Sequence, residues 1–198
     1  MRQRDDLRLS FDPSAAAAVA AAHREAPRTG DAEALAAYAG LVAESDRLFR
    51  HITSGRRPVR IVFTMCPSPY TGADELIMSI NRDRVLEITA AASERDRLHP
   101  FMDCSIGGEY DRFRAVHDVL GHGRLEVGFD RAGEYAAWRY QERFHGPVAR
   151  RALATELHGE HSVRWITGES SEHKAALLDE RFIARSRRGR ARPRAIAH

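Results

Sequence analysis

Apolar positions recur at helical spacing through most of this chain. Asp12 and Pro13 ahead of an alanine run predict a helix reaching about Arg24. Pro27 and Gly30 mark a turn, and Asp31 caps a second helix to about Ile52 with a stripe of Leu35, Tyr38, Leu41, Val42 and Leu48. Residues 59–65 have strand composition, and the loop after them has its shape fixed by Pro67 and Pro69. The short apolar runs 76–80 and 85–89 flank Asn81, Arg82, Asp83 and Arg84 as a hairpin, with a helical continuation as the alternative. Residues 91–110 look irregular, and a connection of that length is a candidate for substrate contact. Helices follow at about 132–144, from Pro147 to a break at Gly168, and from Ser171 to about Ser186. The expected fold is mostly α (α+β): one compact helical domain over residues 1–186, with a small β element. Residues 187–198 carry five arginines and little that could pack, which predicts a basic flexible tail.

One stretch stands out from this pattern. Phe113, Val116, His117 and Leu120 share a helical face, so His117 points toward the core. His122 falls about 140° around an ideal helix from His117. The two imidazoles meet only if the helix ends or bends there, and Gly121 is the residue type that lets it. Later in the chain Glu156 lies on a stripe with Ala149, Leu153 and Leu157. An ionised carboxylate there is costly unless it is paired or bound to a metal. His117, His122 and Glu156 together make a two-His-one-carboxylate set, the ligand type of mononuclear non-heme Fe(II) oxygenases. Glu160, one turn from Glu156, is a rival third ligand, and Glu134 another, although its place after Gly133 also suits an ordinary first-turn acid. Asp118, Glu160 and His161 are expected to surround the ligands, and Tyr110, Trp138 and Ser162 to line a substrate pocket. His23, His51, His99, His145 and His173 are read as surface or structural. The plain alternative is one core histidine, one helix-end histidine and a glutamate paired with an arginine.

The segment His117-Asp118-Val119-Leu120-Gly121-His122 resembles the His-Glu-Leu-Leu-Gly-His motif of the pterin-dependent aromatic amino acid hydroxylases. The likeness covers about fifty residues, 110–162. In that family both histidines and a glutamate on a later helix bind iron. The resemblance therefore implies Fe(II) held by His117, His122 and Glu156. It also implies dioxygen and a small organic, even aromatic or amino acid, substrate, with a tetrahydropterin or other external reductant supplying electrons. The expectation is a hydroxylase-like non-heme iron monooxygenase.

Composition changes this picture little. Lys174 is the only lysine, so the positive charge is almost all arginine, and the formal net charge is only +3. Cys66 and Cys104 are too few for a disulfide framework or a zinc cluster, and they fit a reducing cytoplasm. No run is long enough for a membrane span and no secretory leader is evident, so a cytoplasmic protein without a membrane partner is expected. His117-Asp118 is also the dipeptide of the HD-type phosphohydrolases, which makes a metal-dependent phosphohydrolase the first alternative. Zinc proteases place their histidines four apart rather than five. A non-enzymatic helical module that binds nucleic acid through its arginines ranks last, since it leaves the inward glutamate unexplained. Nothing in the pattern specifies an oligomeric state.

Overall fold

Asp12 accepts hydrogen bonds from the backbone N–H groups of Ser14 and Ala15, which caps helix α1 (Pro13–Glu25). The structure is a computed structural model that describes residues 12–93 and 98–187. Asp31 caps α2 (Ala32–Ser54) in the same manner, and of the predicted stripe this helix buries Tyr38, Leu41 and Leu48, with Leu35 and Val42 partly buried. Strand β1 (Arg60–Thr64), a short helix α3 (Ala73–Met78) and strand β2 (Val85–Thr89) follow. Next come α4 (Glu109–His117), α5 (Arg131–Gln141), α6 (Pro147–Leu153), α7 (Glu160–Thr167) and α8 (Glu180–Arg187). The molecule is mostly helical and compact, with a small two-stranded parallel sheet.

Helix α2 is the central element, packed against both α4 and α6, while α1 packs against α7. One core gathers Tyr38, Leu41, Phe113, Trp138, Leu153 and Leu157 between the helices. A second joins the sheet to α2 and α4 through Val59, Leu86, Ile88, Ala115 and Val116. Burying a side chain such as Leu41 contributes about 1.5–3 kcal/mol, and the two cores together hold α4 rigidly from both sides.

The structure replaces the expected hairpin. β1 and β2 run parallel, with Arg60 opposite Val85 and Thr64 opposite Thr89. Parallel neighbours need a crossover rather than a tight turn, and α3 with the π turn Ser79–Asp83 supplies it. The apolar run 76–80 is therefore helical. Arg84 closes the crossover in the left-handed region at φ 58°, and its guanidinium donates to the carbonyls of Ile80 and Pro58 at 3.2 and 3.3 Å.

The last helix is shorter than its pattern suggests. Residues 171–179 are irregular because they are docked elsewhere: the Gly30 N–H donates to the Ala175 carbonyl, and the Ala175 N–H to the Arg28 carbonyl, both at 2.6 Å. The basic tail lies outside the described residues, apart from Arg187. No helix among the described residues is long and apolar enough to cross a membrane.

Gly121 does not end its helix. The chain continues from α4 through a π turn, Asp118–Gly123, and a second π turn, Ala154–Gly159, links α6 to α7. Both fall on segments that the sequence marks out for chemistry. A π turn closes i to i+5 hydrogen bonds and is frequent at functional sites.

Candidate metal centre

The π turn resolves the angular problem posed by the five-residue spacing. The rings of His117 and His122 lie 5.0 Å apart at 89°. Each turns its Nε2 toward one carboxylate oxygen, Oε2 of Glu134, at 3.3 Å from His117 and 3.4 Å from His122. Their other nitrogens are held by oxygen acceptors. Nδ1 of His117 donates to Gln141 Oε1 at 2.9 Å, and Nδ1 of His122 to the Val127 carbonyl at 3.0 Å. With Nδ1 as the donor in each ring, Nε2 is the nitrogen that faces the shared point and would give a metal its lone pair once any proton there is released. Ligand atoms of His117, His122 and Glu134 all lie within 4.8 Å of one another, and all three residues are buried. The donor set therefore fits a divalent ion.

The carboxylate beside the two histidines is Glu134, and the expected Glu156 lies in a different cluster. Glu134 sits on α5, whose cap Asp130 accepts from the Gly133 N–H at 2.9 Å. Glu134, Trp138 and Gln141 recur at i, i+4 and i+7, so one buried face of α5 presents both the carboxylate and the amide that orients His117. That periodicity was available in the sequence. Helix α5 reaches the π turn closely because Gly121 has no side chain; a Cβ there would lie 2.8 Å from the Ala137 Cβ.

His161 adds a third imidazole, with Nδ1 3.1 Å from Glu134 Oε2. Burial disfavours the Glu134 carboxylate, but His161, His117 and His122 outweigh it and hold this carboxyl well below the usual range. Burial likewise opposes charge on His122, yet Glu134 and Asp118 push its pKa up to about 9. His161, despite Glu134, is lowered to about 4 by burial. The Asp118 carboxyl is raised, chiefly by burial.

Glu156 is inward and buried, as its stripe implies, but its partners are different. Its Oε1 accepts from the Tyr38 hydroxyl at 2.6 Å and from His99 at 3.1 Å. Glu160, one turn on, lies 2.6 Å from His173 Nδ1. Burial and the neighbouring Glu156 push Glu160 up to about 7, whereas His99 and His173 bring Glu156 down against its own burial. His99 and His173, expected at the surface or in structural roles, are both buried here.

The two clusters line one cavity of about 480 Å³, with Tyr110, Phe113, Asp118, Phe129, Glu134, Glu156, Glu160, His161 and Arg164 among its walls. That volume suits a single small molecule. Tyr110 lines this cavity. Trp138 and Ser162 are instead in the packed interior, Trp138 stacked on His158 with centroids 4.3 Å apart. Comparison of the chain with family models, with curated proteins and with solved structures gives no match.

Proposed function

We propose that the cavity is the active site of a mononuclear non-heme iron enzyme, an oxygenase that hydroxylates a small organic substrate. The observation that carries this reading is the convergence of two imidazole Nε2 atoms and one carboxylate oxygen at a buried point on the cavity wall. His117, His122 and Glu134 would hold Fe(II), since two imidazoles and one carboxylate are the ligand type of such oxygenases. When bound, the metal supplies open coordination positions for reducing dioxygen, with a tetrahydropterin or another external reductant as the electron source. The chain's own residues do the rest. Gln141 and the Val127 carbonyl fix the ligand tautomers. Phe113 and Phe129 give an apolar wall for an organic skeleton, and Arg114 and Arg164 offer charge to an acidic substituent such as an amino acid carboxylate.

A metal-dependent phosphohydrolase is the second reading. It is favoured by Asp118, which follows His117 directly and faces the same cavity. Anaerobic Fe(II) binding separates residues, and turnover separates readings. At the point between His117, His122 and Glu134 one iron is expected, bound at least tenfold more weakly in Glu134→Gln and His122→Ala and as tightly as before in Glu156→Gln. Oxygen consumption that depends on a tetrahydropterin and an aromatic amino acid supports the oxygenase. Phosphate release from a phosphate monoester without oxygen uptake supports the hydrolase. Iron kept by Glu134→Gln and lost from Glu156→Gln would overturn the ligand assignment.

A further inference from the structure

The second cluster has unspent ligand capacity. His99 Nδ1 accepts from the backbone N–H groups of Phe101 and Met102 at 3.0 and 2.8 Å, so its proton is on Nε2 and is donated to Glu156 Oε1. The Tyr38 hydroxyl approaches the same oxygen at 2.6 Å. Oε1 is therefore well supplied, while Oε2 of Glu156, fully buried, has no hydrogen-bonding partner among the described residues. A buried carboxylate oxygen without a donor is unfavourable, and a second carboxylate one helical turn away compounds the charge. The single lysine nearby does not relieve it: Lys174 Nζ donates to the Ala26 carbonyl at 2.7 Å and lies 3.6 Å from Glu172.

We propose that Glu156, Glu160 and His173 form a second divalent-cation site in the wall of the same cavity. Their ligand atoms all lie within 4.8 Å of one another. The three come from a rigid frame. Glu156 is in the π turn, Glu160 opens α7, and His173 belongs to the segment pinned to residues 28 and 30 through Ala175. Two carboxylates and one imidazole suit a first-row divalent ion such as Mn2+, Fe2+ or Zn2+ better than Ca2+ or Mg2+, which favour all-oxygen sets. A cation here neutralises the carboxylate pair and satisfies Glu156 Oε2. It also presents a positive docking point for an anionic substrate group beside the first centre. This site goes beyond the oxygenase reading and does not need it, since it shares no ligand with His117, His122 and Glu134.

The test is the Mn2+ stoichiometry of the full chain, read by equilibrium dialysis and by loss of the free-ion EPR signal. Two equivalents are expected for the native chain, and one each for Glu160→Gln and Glu134→Gln. Glu160 is the residue to change because Glu156 also holds Tyr38 and His99, and circular dichroism confirms that each variant is folded. One equivalent in the native chain, kept by Glu160→Gln and lost from Glu134→Gln, overturns the second site and leaves the first. One equivalent lost from Glu160→Gln and kept by Glu134→Gln supports the second site and overturns the first. No bound Mn2+ in the native chain overturns both, and because this outcome rests on the unmodified protein it stands even if a variant fails to fold.

Discussion

His23 is buried in the interface between α1 and α7, with neither ring nitrogen bonded to a described residue. Burial lowers its pKa from 6.5 to about 4. The sign of the consequence follows from which state takes the proton. Below pH 6.5 the unfolded chain protonates His23 while the native chain does not, so stability falls as the pH drops from about 6.5 toward about 4. A difference of that size is worth roughly 3 kcal/mol in full. Urea midpoints between pH 7.5 and 4.5 should decline for the native chain and decline less for His23→Leu. Parallel curves would show that His23 is not the group responsible. Glu156 illustrates what a stripe can reveal. Spacing finds an inward polar side chain, as it did for Glu156, but the partners Tyr38 and His99 are 118 and 57 residues away in sequence. Only the fold brings them together. Glu134 was less legible because it sits in a first turn after Gly133, where an acid is ordinary on dipole grounds.

The helices with clear caps and stripes, α1 and α2, were readable from Asp12, Asp31 and the run from Leu35 to Leu48, since those signals are local. The parallel sheet was not, because residues 76–80 carry too few positions to separate a strand from a helix. The π turns lay between these cases: the five-residue spacing demanded a departure from the regular helix without saying which. Gly121 is where this geometry can be tested. A Cβ at that position would press on Ala137 at 2.8 Å and lie 3.5 Å from His117 Cε1. Gly121→Ala should cost about 1–3 kcal/mol of stability by overpacking. It should also weaken metal binding, because α5 carries both Glu134 and Gln141 away from the imidazoles as it shifts. A chemical denaturation curve and a metal titration on one preparation would check both, and an unchanged midpoint would mean the helices have slack at this contact.

Over the whole molecule, the proposed metal centre would draw its ligands from α4 with its π turn and from α5, and the second cluster would draw them from the next π turn, α7 and the docked segment. A ligand that binds only this arrangement stabilises all of it. At a free metal concentration 100 times its Kd, one site adds about 2.7 kcal/mol. For a chain of this size that corresponds to a melting temperature roughly 5–10 °C higher. Stripping the protein with a chelator should lower the melting temperature by that amount, re-addition should restore it, and Glu134→Gln should not respond through the first site. A melting curve indifferent to chelator would leave His117, His122 and Glu134 as a paired polar cluster with no ion to hold.

The π turn between His117 and His122 makes chain length, more than chemistry, the guarded quantity here. An ordinary helix aligns positions three or four apart, and the extra letter between these imidazoles is absorbed by widening one turn. Most substitutions at Val119 or Leu120 leave that phase intact. A gain or loss of one residue does not: it turns everything downstream by about 100° and shifts it by about 1.5 Å relative to α4. The path to Glu134 is short, twelve residues beyond His122, and offers little slack to undo such a slip. Between His117 and Glu134 the protein can be respelled, but it cannot be recounted.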